Sequence, residues 1–97
     1  MFIERRLKAV SRRLQRARED LAVTDEQLLQ FVDESDDARL RSIVGDNPAS
    51  GVEFSESQRH TDAMTRHRAD LVATIAKLEA QQDELLDEMT AKRSGQP

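Results

Sequence analysis

The chain has 97 residues, enough for one domain, but 35% of them are charged and only three are aromatic, all Phe, so large side chains that fill a globular core are scarce. The absence of cysteine excludes disulfides, thiolate catalysis and Cys-based zinc sites, and a formal net charge of −4 disfavours nucleic acid or anionic lipid as the main partner. No segment approaches the roughly 20 apolar residues needed to span a bilayer, and residues 1–18 lack the uninterrupted apolar stretch of a secretory signal, so cytoplasm is the expected compartment.

Alternating steps of four and three from Ile3 land on Leu7, Val10, Leu14, Ala17, Leu21, Thr24, Leu28 and Phe31, a heptad seam with Thr24 as its single polar position. No Gly or Pro precedes Gly45, and one helix over about 2–44 is predicted. Two places invite a break. Thr24 to Gln27 has capping-box spacing, and Ser35 inside the acidic run 33–37 can cap a short further helix through Leu40, Ile43 and Val44. The seam crosses the first of these in register, which favours continuity.

Gly45 and Pro48 mark a loop over 45–54, with Gly45 as a left-handed cap and Pro48 unable to prolong the preceding helix. Ser55-Glu56-Ser57-Gln58 then reads as the capping box of a second helix over about 55–92. Its seam takes Met64, Arg68, Leu71, Ile75, Leu78, Gln82, Leu85 and Met89, and residues 94–97 read as a disordered tail. Arg68 and Gln82 interrupt this seam at positions where polar residues set register or oligomeric state. The expected fold is all-α, a single domain over 1–93 forming an antiparallel two-helix coiled-coil hairpin. Ala22, Leu29 and Val32 beside the first seam, and Val72, Ala76 and Leu86 beside the second, make each stripe broader than two helices need. Association of hairpins into a helical bundle is therefore expected.

Charge supports the antiparallel order. Residues 5–18 carry seven cations, while 79–88 carry Glu79, Asp83, Glu84, Asp87 and Glu88 without a cation. Arg12 with Arg16, Asp83 with Asp87, and Glu84 with Glu88 are like pairs four apart, each costing roughly 0.2–0.5 kcal/mol in an isolated helix. Folding about residue 49 sets Arg12, Arg13 and Arg16 beside the segment bearing Asp83, Glu84 and Asp87, and sets the acidic run 33–37 towards Arg59, Arg66 and Arg68. These charges are expected to select orientation rather than supply stability.

No catalytic, cofactor or metal site is expected. Asp33, Glu34, Asp36 and Asp37 lack the Gly-centred spacing and distal Glu of a calcium loop. His60 and His67 are seven apart, about 10 Å along a helix, too far to chelate one ion together. Nucleophilic catalysis needs a base, an orienting group and a sheltered cleft, and no such motif occurs. The expectation is a non-enzymatic protein-interaction or regulatory hairpin, self-associating and meeting a protein partner. Nucleic-acid or transcription-associated binding through Arg5 to Arg18 or the loop tip is the alternative, and attachment to a membrane surface stands below it.

Overall fold

The computed structural model describes residues 2–45 and 48–95. It is all-α: helix α1 spans Phe2–Val44, helix α2 spans Pro48–Arg93, and the two pack antiparallel as a hairpin. α1 runs without interruption through both places where a break was considered. With no Gly or Pro in 2–44, every residue can keep helical geometry. Thr24 and Ser35 are buried along the inner face rather than capping a new segment.

The second helix starts earlier than expected, at Pro48 rather than near residue 55, so most of the predicted loop 45–54 is helical. Proline suits the first helical position, because its φ is already helical and its missing N–H is one the first turn leaves unpaired. The Ser55–Gln58 capping box is thus interior to α2. Counting its seam backwards from Met64 gives Thr61, Ser57 and half-buried Phe54, which explains why the helix extends. Asp46 and Asn47 of that loop lie outside the described residues.

The left-handed glycine also moves. Gly45 donates its N–H to the Arg41 carbonyl at 2.9 Å, and among the described residues only Gly95, at φ 73°, is left-handed. It follows α2, where Ser94 N–H reaches the Thr90 carbonyl and Gly95 N–H that of Lys92. Of the predicted tail 94–97, Ser94 and Gly95 form this turn, and Gln96 and Pro97 lie outside the described residues.

The chain divides into two compact units, Met1–Asp20 with Leu71–Pro97, and Leu21–Asp70. In the first, Ile3, Val10, Leu14 and Ala17 of α1 and Leu78 and Leu85 of α2 form a buried cluster, with Leu7, Ile75 and Met89 packed against it. Leu14 is only 2% exposed. Burying a leucine of this kind stabilises by about 1.5–3 kcal/mol. Leu71 is half-buried.

The second unit closes on smaller and more polar side chains. Leu21, Leu28, Phe31 and Met64 are half-buried, while the fully buried residues are Thr24, Ser35 and Ala38, the last at 0% exposure. The α1 seam therefore continues beyond Phe31 through Ser35, Ala38 and half-buried Ser42 in unbroken four-three spacing. Leu40, Ile43 and Val44, expected to carry a further helix, are exposed.

Candidate interaction surfaces

Arg68 and Gln82, the polar residues that interrupt the second seam, each meet a partner on α1. Gln82 Nε2 donates to Ser11 Oγ at 3.1 Å within the first unit. In the second unit Arg68 Nε donates to Asp25 Oδ1 at 2.6 Å, and Ser35 Oγ donates to Gln58 Oε1 at 3.3 Å. His60 stacks on Phe31 with ring centroids 5.7 Å apart and planes 12° from parallel. A seam position that must satisfy a guanidinium or an amide tolerates few alternative alignments, so these contacts specify register.

That register differs from the expected one. The midpoints of Ser11–Gln82, Asp25–Arg68 and Ser35–Gln58 fall between residues 46 and 47 rather than at 49. The fold-back point moved because α2 begins at Pro48. The shift changes which charges meet. Arg18 pairs with Glu79 at 3.7 Å, but Arg13 and Arg16 share a groove with Lys77. Among the described residues, none of Arg12, Arg13, Arg16, Asp83, Glu84 and Asp87 lies within ion-pair distance of an opposite charge. Arg68, expected to face 33–37, is held by Asp25, and a further ion pair joins Arg41 to Glu53.

On the first unit's surface, two adjoining grooves of about 410 and 370 Å³ share Arg13 and Gln81. Their floors are Val10, Ala17, Leu78 and Leu85. The rim along α1 is basic from Arg6 to Arg16 and acidic at Asp20, and the rim along α2 is acidic at one end, where Glu84 and Glu88 line a groove with Arg6, and basic at Lys77.

The second unit carries the larger apolar exposure. Leu29, Val32, Leu40 and Ile43 recur at helical spacing on one face of α1, with Leu29 70% and Ile43 69% exposed. Shallow grooves of about 340 Å³ lie at both ends of this stripe, one beside Leu29 and Val32 with Asp25 and Arg68 at its rim, the other beside Leu40 and Ile43 with Asp36 and Arg39. Leu29 and Val32 stood out in the sequence as surplus to the seam. The sequence pattern places Leu40 and Ile43 only in a further helix capped by Ser35, and carrying the four-three count past Phe31 separates them from Ser35, Ala38 and Ser42. The small size of those three residues, two of them polar, concealed the continuation.

Among the described residues, no group of three or more His, Asp or Glu side chains is arranged to hold a metal ion, and no helix is long and apolar enough to cross a membrane. No protein-family model, curated protein or solved structure matches the chain.

Proposed function

We propose that this chain is a non-catalytic, self-associating interaction hairpin of the cytoplasm, which regulates or assembles a protein partner by docking the apolar α1 stripe of its second unit. The observation that carries this reading is the inverted allocation of side chains there. Leu29, Val32, Leu40 and Ile43 face outwards while Ser35, Ala38 and Ser42 occupy the seam. Singly exposed apolar residues are ordinary, whereas four on one helix face, two on either side of Asp36 with Asp25, Arg39 and Arg68 bordering them, have the form of a helix-docking surface.

The test is co-purification of the full chain from its native cell, beside a variant carrying Leu29→Lys and Ile43→Lys. Both positions are exposed, so the variant is expected to keep its helix content by circular dichroism and to lose the bound partner. Equal recovery of partner by both proteins, or of none by the wild type, would reject this surface.

A nucleic-acid-associated reading rests on a different observation. Arg5, Arg12 and Arg16 lie exposed along the outer ridge of α1, opposite Leu7 and Leu14. If this ridge tracks phosphates, binding to duplex DNA or RNA should fall steeply between 50 and 200 mM salt, about tenfold or more, and disappear when the three arginines are changed to Glu. Salt-independent or absent binding would remove this alternative.

A further inference from the structure

Two outward stripes border the grooves of the first unit. On α1, Arg6, Ala9, Arg13, Arg16 and Asp20 follow one another by steps of three and four, and on α2, Lys77, Gln81, Glu84 and Glu88 do the same. The sign changes along each stripe. α1 is basic from Arg6 to Arg16 and acidic at Asp20, whereas α2 is acidic at Glu88 and Glu84, towards the Arg6 end, and basic at Lys77, which is level with Arg16 and one turn from Asp20. The two stripes are thus complementary over the end that carries Arg6, Arg13, Glu84 and Glu88, and the register of the hairpin leaves Arg13, Arg16 and Glu84 without an ion pair among the described residues.

A face made of two complementary stripes is complementary to itself under one particular two-fold rotation. With the axis parallel to the helices, α1 of each copy lies over α2 of the other at an unchanged level. Arg6 then meets Glu88 of the second copy, Arg13 comes within one turn of Glu84 and Asp20 within one turn of Lys77, distances that these long side chains span, and the symmetry repeats all three contacts. With the axis across the helices, α1 would lie over α1, so the Arg6–Glu88 and Arg13–Glu84 contacts would be lost, and an axis at the level of Arg13 would set that residue against its own equivalent. Arg16 and Lys77 are the like-charged exception in the first arrangement, and Asp20 lies one turn from Arg16 to moderate them.

We infer that a second copy of this chain docks on the grooved face of the first unit, forming an antiparallel four-helix bundle in which each copy's basic α1 stripe is neutralised by the other's acidic α2 stripe. This rests on the reading of the chain as a self-associating hairpin and assigns that association to the charged face, separate from the apolar stripe of the second unit. Residues 2–20 of a helix are about 28 Å long and two adjacent helices about 20 Å wide, so the covered surface is on the order of 1,000 Å² in total, at the lower bound for a specific interface. Ala9 at the centre leaves room for close approach. Because the floor residues are already buried, charge complementarity carries the affinity, and the dimer should be modest in strength and sensitive to salt.

Sedimentation equilibrium of the full chain tests this. A dimer is expected at 50 mM NaCl, with a dissociation constant roughly tenfold weaker at 500 mM. Arg6→Glu with Arg13→Glu, and separately Glu84→Arg with Glu88→Arg, should each sediment as a monomer, while an equal mixture of the two variants should recover the dimer mass. Should either variant lose helix content, a chain bearing all four reversals restores complementarity within and between copies and should dimerise as the wild type does. A monomeric wild type, dimers indifferent to the reversals, or a mixture that stays monomeric would overturn the inference. Dimers dispersed by Leu29→Lys with Ile43→Lys but not by the charge reversals would also overturn it, while leaving the interaction reading of the second unit intact.

Discussion

The two units share one heptad spacing and fill it with opposite materials. In the first, Ile3, Val10, Leu14, Leu78 and Leu85 occupy the seam and charged residues border it. In the second, Thr24, Ser35 and Ala38 are the buried residues, while Leu29, Leu40 and Ile43 are left outside. Periodicity therefore decides which positions face the other helix, and side-chain identity decides whether that contact stabilises the hairpin or leaves apolar surface for something else. The first unit is the better-packed anchor, and the second is where unsatisfied hydrophobic area accumulates.

This contrast can be broken most strongly at Leu14. Leu14→Ala should cost about 3 kcal/mol in urea unfolding, because the side chain is fully enclosed. Leu28→Ala, at a half-buried seam position of the second unit, should cost only about 1 kcal/mol. Comparable losses at the two sites would mean that the units are equally well packed. Hydrogen exchange offers the same comparison without mutation, with slower exchange expected for amides around Leu14 than around Ser35.

Ala38→Leu comes next. Ala38 has no exposed surface, and a larger side chain should force the helices apart at a cost of about 2 kcal/mol, measured as a lowered urea midpoint with unchanged slope. A neutral or stabilising result would show that the second seam is loosely closed. In the other direction, Gly51→Ala should stabilise by about 0.5–1 kcal/mol, since Gly51 is exposed within α2 and nothing lies within 4 Å of an added Cβ. Its failure to raise the midpoint would argue against helix at 48–54.

The smallest expected effect is at Arg68. Its ion pair with Asp25 is nearly half exposed on both sides, so Arg68→Ala should cost no more than about 0.5–1 kcal/mol despite the short contact. Its consequence should be greater for specificity. Replacing Arg68 and Gln82 together by Leu should keep or raise stability while broadening the distribution of oligomers seen in sedimentation, because two of the register-specifying contacts are gone. A single unchanged species would assign register to the apolar residues together with the Ser35–Gln58 and Phe31–His60 contacts.

Periodicity and composition were sufficient for the helical class, the extent of α1 and the inward positions Ile3 to Phe31, because a four-three repeat of apolar residues without Gly or Pro has few other folds open to it. The start of α2 was not legible from local signals. Ser55–Gln58 is a good capping box, and it was overridden by Pro48 and by the gain from extending the seam to Phe54. That early start moved the fold-back point, and with it the charge pairing: Arg13 and Arg16 came beside Lys77, while Arg68 met Asp25. A sequence lists charges and apolar residues along one dimension, where sliding one helix by a single turn alters nothing. Only packing chooses among such alignments, because a turn's displacement exchanges every cross-helix neighbour, and that choice determined which charges meet across the helices and which are left for a partner.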